Sequence, residues 1–208
     1  MAMKDPLAKL LGGAGRLKIM RLFMARPDEC LRTEDVSRLS KTIKTTTTKE
    51  LKALTQIGFI KQNKCKIEET KKLKKGVKKV IKSKPGFILN QEFTYLPALR
   101  TLLTNISNEQ NTDIIKKIRK IGRIKGLILA GLFLQDEDAR VDILVIGDSV
   151  KHRQLENTIK SIEADLGQSL RYSLFSTNEF IYRYDMRDKL ICDILDSPHK
   201  KLINRLGL

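Results

Sequence analysis

Apolar residues in the first part of the chain recur at the spacing of amphipathic helices. The segment 15–25 predicts a buried helix that ends before Pro27. Its apolar positions are Leu17, Met20, Leu22, Phe23 and Met24. A second, shorter helix is predicted to follow with Thr33 as its N-cap, and Val36 and Leu39 are then expected to face the core.

A third helix is predicted over residues 44–57, after a turn near residues 40–43. Its inner face is predicted from three residues at helical spacing, Leu51, Leu54 and Ile57. Gly58 is the expected left-handed residue that terminates the helix. The first turns are rich in β-branched threonine, which is a poor helix former, so another property of these hydroxyl side chains must favour them here.

The segment from Phe59 to Phe93 predicts two or three strands around lysine-rich turns. The apolar residues that can build these strands are Ile60, Ile67, Val77, Val80, Ile81, Phe87 and Ile88. Gly76 predicts a turn or a bulge, and Pro85-Gly86 predicts a further turn. We therefore expect a basic hairpin directly after the third helix.

The second half of the chain has a different pattern. Leucines at helical spacing over residues 95–106 predict a helix that serves as a linker or mediates dimerisation. The polar segment 107–113 predicts a boundary, and residues 113–121 predict a short basic amphipathic helix. From residue 123 onward the predicted order is strand, turn, strand, helix, strand, helix, which is typical of a sheet covered by helices.

The 208 residues suffice for one large domain or two small ones, each with its own core. A composition of 41% hydrophobic and 31% charged residues excludes a disordered chain, and no apolar stretch approaches the roughly 18 residues that a membrane span needs. The cysteines are Cys30, Cys65 and Cys192. They form no Cys-x-x-Cys pair, so neither a disulfide framework nor a cysteine zinc site is predicted, and a cytoplasmic location is expected.

The net charge of +17 is concentrated in the first half. Residues 1–92 carry 23 Lys and Arg against 9 Asp and Glu, whereas residues 93–208 carry 18 against 15. Residues 61–84 alone contain 11 lysines against Glu68 and Glu69. Such a basic surface repels itself unless it meets a polyanion, for which nucleic acid is the first candidate and an anionic membrane the second. A solvated lysine-rich loop that binds nothing is the alternative interpretation.

Three short helices, Gly-Phe-Ile and a basic hairpin together resemble the ArsR/MarR-like winged-helix transcriptional regulators over residues 14–92. The segments that carry the resemblance are LKIMRLF, TEDVSRLS and TTTTKELKALTQIGFI. The chain departs from that pattern at Lys41-Thr42, where a glycine usually stands. The resemblance implies that the third helix enters the major groove, that the basic hairpin is a wing on the DNA backbone, and that two copies read a palindromic site.

Lysine and threonine at the start of the third helix have the chemistry of DNA contacts. Hydroxyl and methyl groups can reach phosphates, base edges and thymine methyls, and lysines can bind phosphates. Thr47 is expected to face inward. The predicted DNA-binding residues are Lys44, Thr45, Thr46, Thr48, Lys49 and Lys52 on the helix, and Lys71, Lys72, Lys74, Lys75, Lys78 and Lys79 on the wing. The alternative for the threonines is a cap whose hydroxyls bond their own backbone.

Residues 112–196 resemble the minimal nucleotidyltransferase domain, a small member of the polymerase-β-like superfamily, through LAGLFLQDEDARVDILVIGD and LRYSLFSTNEF. In that family a Gly-Ser pair holds a triphosphate, and three aspartates hold two Mg²⁺ ions. The corresponding positions here are Gly131, Leu132, Arg140, Asp142 and Ser173. Only Asp142 supplies a carboxylate, so the resemblance implies this fold without its metal site. Asp142 is then expected to pair with Arg140 or to cap a helix.

The sequence thus predicts an α+β protein. It has an N-terminal winged helix-turn-helix domain (1–92), a linker or dimerisation helix (93–111) and a small α/β nucleotidyltransferase-like domain (112–208). The predicted function is that of a transcriptional regulator that binds double-stranded DNA as a homodimer, without catalytic residues, metal, cofactor or membrane. Two alternatives are an active nucleotidyltransferase that modifies nucleic acid or a partner protein, and the antitoxin of a toxin–antitoxin pair.

Overall fold

The computed structural model describes residues 6–73, 76–104, 108–136 and 138–207, which form a mixed α+β protein. The helices in these ranges are α1 (Pro6–Leu10), α2 (Ala14–Ala25), α3 (Thr33–Ser40), α4 (Lys44–Gln56), α5 (Leu96–Thr104), α6 (Asn108–Arg119), α7 (His152–Leu166), α8 (Thr177–Asp185) and α9 (Lys189–Asp196). The strands are β1 (Ile60–Leu73), β2 (Gly76–Leu89), β3 (Arg123–Leu129), β4 (Ile143–Asp148), β5 (Tyr172–Phe175) and β6 (Lys200–Asn204). The chain divides into two compact units, residues 1–105 with 164–168 and residues 106–163 with 169–208.

Helices α2, α3 and α4 supply much of the core of the first unit, at the positions that the apolar spacing predicts. Phe23, Val36 and Leu54 are fully buried. Burial of each such side chain contributes about 1.5–3 kcal/mol to folding. Leu31 and Phe87 exchange two backbone hydrogen bonds of 2.9 and 2.8 Å, so the segment before α3 pairs with β2 and closes one side of this core.

Two details at the helix ends differ from the prediction. The N-cap of α3 is Arg32 rather than Thr33, and no side chain caps the helix there. Instead the Arg32 guanidinium bonds Asp35 across the first turn at 2.7 Å, which holds the pKa of Asp35 below its ordinary value. Ile57 is 59% exposed rather than buried, because α4 ends one residue earlier and the chain turns at Gly58, whose φ is +78°.

Strands β1 and β2 pair antiparallel along their whole length, from Ile60 with Leu89 to Leu73 with Gly76. The predicted turn at Pro85-Gly86 is wrong, because both residues lie inside β2. A side chain at Gly86 would meet the Cys65 sulfur and come within 2.8 Å of the Leu31 carbonyl oxygen. The glycine is therefore needed for a close approach between chain segments and not for a reversal of the chain.

A disulfide joins Cys30 to Cys65, so the prediction that the cysteines form no disulfide is wrong. The two residues are 35 positions apart, but their Cα atoms are 5.3 Å apart in the fold. The backbone bonds between Leu31 and Phe87 bring Cys30 to the base of the hairpin, where Cys65 is buried. Because one pair is oxidised here, the cysteines no longer support a reducing compartment.

Helix α5, predicted as a linker or dimerisation helix, buries Leu96 and Leu103 in the core of the first unit, and Leu99 packs against the same core. The polar segment predicted as a boundary is helical from Asn108 onward, because α6 begins there. Residue 107 lies outside the described ranges. None of the described helices has the length and the apolar composition that are needed to cross a bilayer.

The second unit contains a four-stranded sheet in the order β5-β4-β3-β6. Strands β4 and β5 run parallel, whereas β3 is antiparallel to both β4 and β6. Strand β6 was not predicted. The last helix of the predicted order is in fact two helices, α8 and α9, which are separated at Arg187, where φ is +56°. One face of the sheet packs its Leu144 and Ile146 against Phe180 of α8 and Ile191 of α9.

Candidate nucleic-acid interface

The turn between α3 and α4 is built from hydroxyl groups. Lys41 adopts the left-handed conformation, with φ +49°, at the position where a glycine was expected. Ser37 donates a hydrogen bond to the Thr42 carbonyl at 2.7 Å. The Thr42 hydroxyl also lies 2.7 Å from the hydroxyls of both Ser40 and Thr47. This network holds the angle between the two helices without a glycine.

The inner face of α4 anchors the helix to the first unit. Thr47 is fully buried, which confirms the prediction that it faces inward. Glu50 is nearly buried and forms an ion pair of 2.6 Å with Arg16 of α2. Thr46 is half-buried and packs closely against Gly15 of α2. A Cβ atom added at that glycine would lie 3.2 Å from the methyl carbon of Thr46. These contacts fix which side of α4 faces outward.

The outer face of α4 is polar and basic. Its exposed residues at helical spacing are Lys44, Thr45, Thr48, Lys49, Lys52 and Gln56. The hydroxyls of Thr47 and Thr48 donate to the backbone carbonyls four residues earlier, at 3.1 and 2.9 Å. The alternative given for the threonines, that their hydroxyls bond their own backbone, therefore holds for Thr47 and Thr48. For Thr48 this bond uses the hydroxyl proton, whereas the methyl group and the oxygen lone pairs remain at the surface.

A groove separates the outer face of α4 from the base of the hairpin, and we call it the α4–hairpin groove. It consists of two adjoining hollows of about 320 and 570 Å³, which share Thr33, Gln62 and Phe87 as lining residues. Further polar residues line one hollow or the other: Thr48, Lys52, Thr55, Gln56, Asn63, Lys64, Ser83 and Lys84. The groove thus combines amides, hydroxyls and lysines in one concave surface.

The lysines of the hairpin concentrate toward its far end. The strand register places Lys71 directly opposite Lys78, with Lys72 and Lys79 in the neighbouring pairs. Lys74 and Lys75 lie outside the described residues, and the side chains of the other four predicted wing lysines are not among those described. Nearer the base, Lys64 and Lys66 are exposed.

The sequence predicted Thr48 and Lys52 as contact residues but not the amide side chains of the groove. Gln56 continues the spacing of Lys49 and Lys52 on the outer face of α4, so helical periodicity could have identified it. Gln62 and Asn63 carry no comparable signal, because their position beside α4 depends on how the hairpin folds back against the helix. Amides of this kind are the side chains that form paired hydrogen bonds with adenine.

In the second unit Asp142 is buried, and both of its carboxylate oxygens accept hydrogen bonds from groups of the protein. One carboxylate oxygen accepts from the backbone N–H of Leu132 at 2.9 Å, and the other accepts from the backbone N–H of Arg171 at 2.7 Å. The Arg171 guanidinium adds bonds of 3.2 and 3.3 Å, and Asp142 raises the pKa of Arg171 through them. The expected pair with Arg140 is wrong, since Arg140 bonds Asp193 at 2.6 Å. The alternative, that Asp142 caps a helix, is confirmed, because Leu132 lies in the short 3-10 helix Gly131–Leu134.

Comparisons with protein-family models, with curated proteins and with solved structures found no match to this chain. Within the described residues, no three His, Cys, Asp or Glu side chains are grouped so that they could hold a metal ion. Function must therefore be inferred from the surface of the molecule itself.

We expect Asp142→Asn to lower the free energy of unfolding of the second unit by about 2 kcal/mol, because an amide can no longer accept from both backbone N–H groups. Urea unfolding followed by circular dichroism measures this loss. Asp185→Asn is the control, since Asp185 is exposed on α8 and its change should stay within about 0.5 kcal/mol. Equal unfolding midpoints for both variants would contradict a structural role of Asp142.

Proposed function

We propose that this protein is a DNA-binding transcriptional regulator whose first unit is a winged helix-turn-helix module. In this proposal α3 and α4 are the helix-turn-helix, α4 is the recognition helix, and the β1–β2 hairpin is the wing. The strand pairing of Leu31 with Phe87 supports it, because it ties the segment before α3 to the hairpin that follows α4.

The observation that carries the proposal is the composition of the outer face of α4. Lysines supply charge toward phosphates, while threonine and glutamine supply the neutral donors and acceptors that base edges require. Binding to an anionic membrane would require only the positive charge of the lysines and would not use the threonines and the glutamine. The α4–hairpin groove places these groups beside the lysine-rich hairpin, so phosphate contacts and base contacts would be made by adjoining elements.

For the second unit we propose a nucleotidyltransferase-like domain that has lost catalysis and serves in dimerisation or in sensing a ligand. The engagement of Asp142 by Leu132 and Arg171 supports this, because its oxygens already satisfy protein donors. Two copies of the chain would then read two half-sites one helical turn apart. A DNA footprint would show this as two protected segments about 10 base pairs apart, centre to centre.

The test of the proposed function is a titration of the full chain against labelled promoter fragments from its own operon, at several salt concentrations. We expect one fragment to bind roughly 10³-fold more tightly than unrelated DNA at physiological salt. Equal affinity for all fragments would reduce the protein to a nonspecific DNA binder. Absence of binding at low salt would overturn the proposal.

We expect the double variant Lys44→Ala/Lys49→Ala to weaken binding to the preferred fragment roughly tenfold to a hundredfold near 0.15 M salt, because two phosphate contacts are removed. Fluorescence anisotropy measures the change. Lys160→Ala/Lys189→Ala is the matched control, since it removes the same charge from exposed positions in the second unit. If both variants bind alike, the outer face of α4 does not contact DNA.

A further inference from the structure

A basic cleft of about 260 Å³ lies in the second unit, at the end of the sheet where β3 begins. It is lined by Arg119 at the end of α6, Arg123 and Lys125 at the start of β3, and Arg205 directly after β6. Three separate elements thus bring four cationic side chains to one concavity, although residues 93–208 carry only three more basic than acidic residues. Arg119, Arg123 and Lys125 are close in sequence, and the fold brings Arg205 to them.

These four cations form no ion pair with any carboxylate among the described residues. Elsewhere in the same unit arginines are paired, as Arg140 is with Asp193 and Arg183 is with Glu179. The carboxylate that interacts electrostatically with Lys125 and Arg123 is Asp148. Four cations against this one carboxylate leave a strong net positive charge in the cleft.

The carboxylate of Asp148 accepts hydrogen bonds from donors outside the cleft. Its two oxygens accept from the backbone N–H and the hydroxyl of Thr177, at 3.1 and 2.9 Å. These donors, with Lys125 and Arg123 nearby, hold the pKa of Asp148 below its ordinary value. The carboxylate is therefore anchored toward α8 by Thr177, and the guanidinium groups remain available to an incoming anion.

Chain segments pack closely beside the cleft. A Cβ at Gly122 would come within 2.8 Å of the Val150 side chain, and a Cβ at Gly147 would come within 2.8 Å of the Arg123 carbonyl oxygen. The loop after α6 and the ends of β3 and β4 are thus pressed together. The carboxyl end of β4 lies beside the cleft, since Asp148 pairs with Arg123 in the sheet.

We propose that this cleft is a binding site for a phosphate group. Three of its four cations are arginines, whose planar guanidinium groups form paired hydrogen bonds with phosphate oxygens, whereas lysines act as point charges. The cleft is at the opposite end of β3 from Gly131 and Asp142, so it is distinct from the site discussed above. The inference does not rest on DNA binding by the first unit.

The test is isothermal titration of the full chain with inorganic pyrophosphate in the absence of DNA. We expect Arg123→Gln/Arg205→Gln to weaken binding at least about tenfold, since two charged hydrogen-bond donors are lost. Both side chains are exposed, and Arg119→Gln/Arg205→Gln provides a second variant with the same expectation. Arg153→Gln/Lys160→Gln, on exposed positions of α7, is the control and should bind like the unchanged protein.

The lysine-rich hairpin is the same in all four proteins, so its contribution cancels in the comparison. Equal pyrophosphate binding by the cleft variants, or no heat from millimolar pyrophosphate, would overturn the proposal. A second series measures the salt dependence of binding to unrelated duplex DNA. If the cleft variants also lose about two units of that slope, the bound phosphate belongs to a nucleic-acid backbone; if the slope is unchanged, it belongs to a small phosphorylated ligand.

Discussion

Replacement of Lys74, Lys75, Lys78 and Lys79 by alanine is expected to weaken DNA binding roughly 10²–10³-fold near 0.15 M salt. If about six wing lysines touch phosphates, the slope of log K against log salt is near −5, and removal of four contacts brings it to about −2. The affinity ratio between the preferred fragment and unrelated DNA should stay the same, because phosphate contacts carry no sequence information.

The physical reason lies in the hairpin. Its two strands pair over 14 residues each, and the register places the predicted wing lysines at positions toward the far end of the hairpin. In the proposed complex these lysines bind phosphates of the DNA backbone. Each such contact releases counterions from the DNA, so removal of four lysines should make the binding constant less dependent on salt.

Anisotropy titrations at four or more salt concentrations measure both quantities. The control removes four exposed lysines from the second unit, Lys151, Lys160, Lys189 and Lys200. Circular dichroism verifies that each variant is folded. A wing variant with an unchanged slope would show that the hairpin does not lie on the DNA backbone, and an altered sequence preference would show that it reads bases.

Reduction of the Cys30–Cys65 disulfide is expected to lower the free energy of unfolding of the first unit by about 3–4 kcal/mol. The bond closes a loop across 35 residues, and in the chain-entropy description this restricts the unfolded chain by that amount. Phe87 and Leu31 remain hydrogen-bonded at the base of the hairpin, so we expect a less stable unit with the same fold.

Urea unfolding with and without a phosphine reductant measures the effect. Thiol labelling should find one reactive group before reduction, at Cys192, and three afterwards. The variant Cys30→Ser/Cys65→Ser should have the reduced stability under both conditions, whereas Cys192→Ser should behave like the unchanged protein. An unfolding midpoint that does not respond to reductant in the unchanged protein would contradict the expectation.

The elements that the sequence predicted well are those whose cause is local. Helices α2 and α4 follow from the periodicity of their apolar residues, and Thr47 was correctly placed on the inner side because helical spacing alone orients it. The alternation of strands and helices in the second half was likewise visible from runs of apolar residues. The exposed lysines and threonines of α4 follow from the same periodicity.

Apart from small differences at the ends of α3 and α4, the errors fall where residues far apart in the chain meet. Pro85-Gly86 has the composition of a turn, but the disulfide and the Leu31 carbonyl require a glycine inside a strand. Strand β6 has too few apolar residues to be detected, and it exists because the edge of β3 offers it backbone partners. Asp142 has a near neighbour of opposite charge in sequence, yet it bonds Arg171, 29 residues away.

From its residue order alone, this chain specifies which segments are helical, which of their faces are apolar and where its lysines are concentrated, because these properties depend on neighbours within one or two turns. Folding alone brings Cys30 to Cys65, sets Gln62 beside α4 and brings Arg205 to the basic residues of α6 and β3. Each of these depends on strand register and on close packing between distant segments, and no local pattern of residues records such distances.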